Sequence, residues 1–225
     1  ERAKSYGCKD VGFILDRGYF SIENIKYFEK HDYDYILMTK GNAAFITKSI
    51  EESVALLKEG YQYYMEDYEL YGKTIEKELF HTGKKQYIHI YYDGIAAERE
   101  KIIINQRFHK LDQQLEEKKN QIIKRQEDVA GYKKYYRLKF DENGYFQSYK
   151  RKDKEIKELI NRAGFFAIIT SRKMSASQAL EIYRDRDAIE KVFRMEKTYL
   201  GNDVFRVHLD EHNIVNIKIT NNVNL

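Results

Sequence analysis

Asp10-Val11-Gly12-Phe13-Ile14-Leu15-Asp16-Arg17-Gly18-Tyr19-Phe20 is the stretch whose reading decides the fold. Its apolar run from Val11 to Leu15 has the length of a buried strand and ends on an acid. Ser21 stands where a helix N-cap belongs, and Ile22, Ile25 and Phe28 then recur at helical steps. His31-Asp32-Tyr33-Asp34 breaks that periodicity, and Tyr35-Ile36-Leu37-Met38 reads as a second short strand. Strand, helix and strand within about thirty residues form a βαβ-type unit, which predicts an α/β chain with a mixed or parallel sheet.

Outward from that unit the texture changes. Ser49 and Glu52 have capping-box spacing ahead of Val54, Leu56 and Leu57, with Gly60 as the stop. From Tyr61 to Tyr92 aromatic and charged residues alternate, and Tyr87-Ile88-His89-Ile90-Tyr91-Tyr92 reads as a strand. A long helix is expected from about Ile95 to Glu127, with Phe108, Leu111, Leu115 and Ile122 forming a narrow apolar stripe. Strand-like pieces Tyr135 to Phe140 and Tyr145 to Tyr149 flank Asp141-Glu142-Asn143-Gly144, a hairpin signal. A short helix from Lys154 to Arg162 ends at Gly164. The α/β grammar then returns, with a buried strand Phe165 to Thr170, a capping box at Ser175 and Gln178, and a helix from Ala176 to about Leu200. The organisation expected is a core over 1–45, an α+β insertion over 46–163, a second core segment over 164–208 and an irregular tail over 209–225.

Composition bounds the function less tightly. Charged residues make up 34% of the 225 and hydrophobic ones 42%, enough for a packed core with much solvated helix surface. A net charge of +4 permits a nucleic-acid partner without demanding one. Cys8 is the single cysteine, so the chain forms no internal disulfide, and a reducing cytoplasm is the expected compartment. No apolar run approaches the roughly 20 residues of a membrane span. The chain opens on Glu1-Arg2-Ala3-Lys4, so it is expected to start inside a longer protein.

The chemistry is concentrated on the last helix. With Tyr183 at zero and about 100° per residue, Arg186, Lys197 and Glu190 fall at roughly 300°, 320° and 340°. Ile182, Ile189, Phe193 and Leu200 lie beside them, so a polar stripe borders the apolar face. The bland reading is a solvated helix with a Glu190–Arg186 ion pair. The spacing favours a sharper one. Tyr, two residues, Arg, three residues, Glu, six residues, Lys resembles the signature of DDE transposases of the IS-four-type insertion sequences, here Tyr183, Arg186, Glu190 and Lys197. Asp16-Arg17-Gly18-Tyr19 at a strand end resembles the segment around that group's second catalytic aspartate, and the texture from Gly164 to Lys197 resembles its long-insertion subgroup.

The resemblance implies a ribonuclease-H-like mixed sheet, here incomplete, interrupted by the insertion with its long helix. It implies that Asp16 and Glu190 are catalytic and bind Mg²⁺ or Mn²⁺, and that Tyr183, Arg186 and Lys197 contact DNA. Hard divalent cations prefer carboxylate oxygens, and a pair of them suits in-line phosphoryl transfer. The partners implied are double-stranded DNA, as transposon ends and target, and a second copy of the parent protein in a synaptic homodimer. A DDE site needs a third acid upstream. Asp10, at the start of the same strand as Asp16, cannot supply it, so the chain is expected to be a fragment inactive by itself. The other readings are a non-catalytic DNA-binding remnant and an interaction protein built on the coiled-coil-like arm. His208 and His212 lack the order and partners of a zinc site.

Overall fold

The computed structural model describes residues 12–41, 43–119 and 131–186. Strand β1 (Gly12–Leu15) leads through a 3₁₀ turn (Arg17–Tyr19) into helix α1 (Ile22–Lys30), and strand β2 (Asp34–Met38) follows. Ser21 caps α1 by accepting the Asn24 N–H at 3.0 Å, as the sequence predicts. β1 and β2 pair in parallel, Gly12 with Asp34 through Leu15 with Leu37. Helices α2 (Ala44–Glu51) and α3 (Val54–Glu59) come next, then β3 (Tyr64–Met65), β4 (Leu70–Lys77) and β5 (Gln86–Tyr92).

The expected capping box at Ser49 and Glu52 does not form. Ser49 lies inside α2, fully buried, and its carbonyl accepts the Ser53 hydroxyl at 2.7 Å. The pattern is present, but a helix with Phe45, Ile46 and Ile50 on its apolar side runs through it.

β8 (Phe165–Thr170) pairs antiparallel with β2, and the sheet runs β1-β2-β8-β5-β4-β3. This is an α/β fold with a mixed six-stranded sheet and flanking helices, in keeping with a ribonuclease-H-like architecture. Period-two alternation divides the side chains between its faces. Phe13 stacks on Phe28 of α1 at 5.0 Å, and Tyr35 lies 5.9 Å from the same ring. On the other face Ile14, Ile36, Ile168 and Tyr91 form a core with Ala176, Leu180 and Tyr183. The described part of that last helix covers 176–186 and is called α6 here. Its capping box forms in both directions, Ser175 N–H to Gln178 Oε1 at 3.0 Å and Gln178 N–H to Ser175 Oγ at 3.1 Å. The Tyr91 hydroxyl donates to the Ala176 carbonyl at 2.8 Å and ties the helix start to the sheet.

A buried carboxylate, Glu29, is held for structure. It accepts the hydroxyls of Tyr35 (2.9 Å) and Thr82 (2.6 Å) and the Gln86 amide (2.7 Å), so α1 is fastened to the β4–β5 turn and β5. Burial with these partners satisfies the charge rather than exposing it for chemistry.

Residues Asp93–Phe165 form a second compact unit. Asp93 caps helix α4 (Gly94–Glu117) by accepting the Ala96 N–H at 2.8 Å. The helix ends at Glu117, with Lys118 as its C-cap, short of the expected Glu127, and residues 120–130 lie outside the described residues. Strands β6 (Tyr136–Phe140) and β7 (Phe146–Arg151) make the hairpin that the sequence predicts. Its turn is organised by Asp141, whose Oδ1 accepts the N–H groups of Asn143 and Tyr145, while Gly144 supplies a φ of +83°. The inner face of the hairpin packs Tyr136, Phe146, Leu138 and Tyr149 on Phe108, Leu111 and Leu115 of α4, with Ile156 and Leu159 from helix α5 (Asp153–Asn161).

Candidate active site at the end of β1

β1 delivers Asp16 at its carboxyl end, where the chain turns into the 3₁₀ segment. The Asp16 side chain caps that segment, with Oδ1 accepting the Arg17 N–H at 2.6 Å. α6 brings up the rest of the cluster from 167 positions away. The Tyr183 hydroxyl lies 3.3 Å from the same oxygen, and the Arg186 guanidinium lies 3.5 Å from it. Arg186 also covers the Tyr183 ring at 4.7 Å from its centroid. A backbone amide, a phenol and the charge of a guanidinium therefore converge on Oδ1, and among the described residues no group bonds Oδ2.

Asp16 keeps 59% of its side-chain surface in solvent, whereas Arg186 keeps 14%. Partial burial raises the Asp16 pKa, but it is outweighed by the Arg17 N–H, the Arg186 charge and the hydrogen bonds from Tyr183 and Arg186, so the net shift is downward. The group is a carboxylate at neutral pH, with one oxygen engaged and, among the described residues, no partner on the other.

Of the residues singled out from sequence, the structure brings Asp16, Tyr183 and Arg186 together. Glu190 and Lys197 lie outside the described residues. Among the described residues no three metal-ligating side chains form a cluster. One member was not anticipated. Met38 ends β2, and the register Leu15 with Leu37 sets it beside Asp16. Its sulfur is 3.5 Å from the Arg17 guanidinium and 3.6 Å from the Tyr183 hydroxyl. The carboxylate is the stronger acceptor for that hydroxyl proton. Parallel pairing of the two strands was the signal that could have found Met38.

A cavity of about 450 Å³ opens elsewhere on the same unit, lined among others by Gly12, Asp34, Ser171, Arg172, Gln178 and Asp185. It lies at the opposite end of β1 from Asp16. Within it Arg172 pairs with Asp34, and the Ser171 hydroxyl donates to the same carboxylate at 2.9 Å. Depth alone does not make it the reactive centre.

No described helix is long and apolar enough to cross a membrane. A family model described as "Transposase DDE domain" matches residues 2–220. No curated protein and no solved structure matches the chain.

Proposed function

The chain belongs to the family of transposase DDE domains, and we propose that within it Asp16 and Glu190 are two of the carboxylates that hold the catalytic divalent ions. The family's work is transposition and recombination of mobile DNA, carried out at transposon ends with divalent metal ions. The finer reading is an IS-four-type enzyme with Tyr183, Arg186, Glu190 and Lys197 as its signature residues.

The observation that carries this reading is the approach of Tyr183 and Arg186 to Asp16. The helix bearing the signature packs at the strand end bearing the acid, which the chemistry requires. On the helical periodicity read from the sequence, Glu190 follows Tyr183 by about two turns on nearly the same face. The donor chemistry fits Mg²⁺ or Mn²⁺, because an ionised, half-exposed carboxylate with an open oxygen is a hard ligand. When bound, such ions activate the attacking oxygen and stabilise the leaving one in phosphoryl transfer.

The residues of this chain do the rest. Arg186 holds a positive charge against Asp16, and on this reading its guanidinium turns to a DNA phosphate when DNA binds, offering a two-pronged contact. Tyr183 fixes the carboxylate while Arg186 exchanges partners. Lys197 adds a second phosphate contact on this reading. Two acids are assigned on this reading, and cutting requires a third acid and the paired arrangement of a synaptic dimer.

The test is a Mn²⁺ titration read by thermal shift on the chain and its Asp16→Asn and Glu190→Gln variants. Stabilisation of the parent chain that is lost in both variants is the expected result. Stabilisation left intact in either variant, or absent from the parent, removes the metal-site assignment.

A further inference from the structure

The outer face of the β6–β7 hairpin carries an arrangement that folding alone does not favour. In the antiparallel register Arg137 stands directly opposite Lys150, and Lys139 opposite Ser148. All four are solvent-exposed. Like charges facing each other across two strands, about 5 Å apart, are destabilising. On this face no described acid pairs with Arg137, Lys139 or Lys150. The inner face shows the contrast, because Arg151 there is neutralised by Asp112 of α4. Lys133 and Lys134, both exposed, precede β6 and extend the positive strip.

The wider charge distribution points the same way. Residues 93–165 hold 18 Lys and Arg against 13 Asp and Glu, a net of +5, whereas the remaining residues hold 22 against 23. The positive balance of the whole chain therefore belongs to the unit that carries the hairpin.

We propose that the outer face of the β6–β7 hairpin, through Arg137, Lys139 and Lys150, is a surface that binds the phosphate backbone of duplex DNA. The identity of the anion rests on the transposase reading. The existence of the surface rests on the unneutralised cross-strand pair. A two-stranded ribbon presents these cations about 7 Å apart along β6 and closer across the strands. Such contacts fix position on a duplex without reading its sequence.

The test uses the full chain, with EDTA present, and a random-sequence duplex whose binding is followed by fluorescence anisotropy from low to moderate salt. The variant replaces Arg137, Lys139 and Lys150 with Gln. A control replaces Lys26, Lys30 and Lys48, exposed on α1 and α2, and loses the same charge. The hairpin variant is expected to weaken binding and to flatten the slope of log affinity against log salt by about 2 to 3, at about 0.9 per lost phosphate contact. The control is expected to leave the slope nearly unchanged.

Lys150→Glu is the companion measurement. Placing a negative charge opposite Arg137 is expected to raise the Tm while lowering DNA affinity, a combination that a purely structural residue does not give. An unchanged slope in the triple variant, an equal loss in the control, or retention on anionic phospholipid vesicles but not on duplex overturns the proposal. Because EDTA removes the metal, failure of the Asp16–Glu190 assignment leaves this result standing. A parent chain that does not bind duplex at low salt overturns the proposal as well, while the Mn²⁺ titration judges Asp16 and Glu190 by itself.

Discussion

At Asp16 a backbone amide, a phenol and a guanidinium share one carboxylate oxygen, and each can be removed separately. Arg186→Gln and Tyr183→Phe are both expected to raise the Asp16 pKa, because each deletes a group that favours the charged form. Carboxyl ¹³C NMR titration reads this directly, and the rise should be larger for Arg186. The sign for stability follows from the depressed folded value: the benefit is complete above the unfolded pKa of about 3.9 and fades as pH falls through the lower folded one. The site is thus ionised wherever the protein is expected to work. At His89 the shift is also downward, but it favours the neutral form. Burial drives its pKa down to about 4. Thr170 gives its hydroxyl proton to the Arg172 carbonyl at 2.8 Å. It must therefore accept from His89 Nε2–H at 3.0 Å, which leaves Nδ1 to accept from Thr74 at 2.9 Å. A neutral imidazole satisfies both partners. The unfolded chain takes up a proton near pH 6.5 and the folded one does not, so stability should fall from about pH 6.5 down to pH 4 by on the order of 2–3 kcal/mol. Urea unfolding at pH 7 and pH 5 checks this, and a His89→Gln variant should lose that part of the pH dependence.

Among the elements, α6 links stability to the site most closely. Ser175→Ala removes half of its capping box and should cost about 1 kcal/mol. Tyr183, two turns along, should then hold Asp16 less firmly, visible as a small rise in the Asp16 pKa in the same NMR titration. Gly164 closes the second unit. Its φ is +78°, and a Cβ there would lie 2.4 Å from the Asp93 carbonyl oxygen and 2.6 Å from the Ala97 Cβ. Gly164→Ala should therefore destabilise by about 2–4 kcal/mol, measured by urea unfolding, since backbone strain and overpacking add. Local signals of this kind were legible in the sequence. Ser21, Ser175 with Gln178, and Asp141 to Gly144 act within a few residues, and each does what its spacing predicts. The Ser49–Glu52 pattern had the same local form and failed, because an apolar helix ran through it. Strand order was not legible. β8 inserts between β2 and β5 and pairs with a strand about 130 positions earlier, a match that no local pattern encodes.

For the whole molecule, the fold class was written in the βαβ opening, while the site was written across 167 positions and came from the spacing of residue types on one helix. Periodicity alone left that helix as a solvated surface. The structure adds that α6 brings Tyr183 and Arg186 to Asp16 at the carboxyl end of β1. Met38 and the hairpin's Arg137–Lys150 pair went unread because each depends on register rather than on composition. The most direct measurement is anomalous diffraction from crystals of the chain grown with Mn²⁺. A manganese peak with an oxygen of Asp16 and an oxygen of Glu190 both within about 2.0–2.6 Å is the expected result. A fully ordered helix that carries Glu190 away from Asp16, with no metal bridging them, would contradict it.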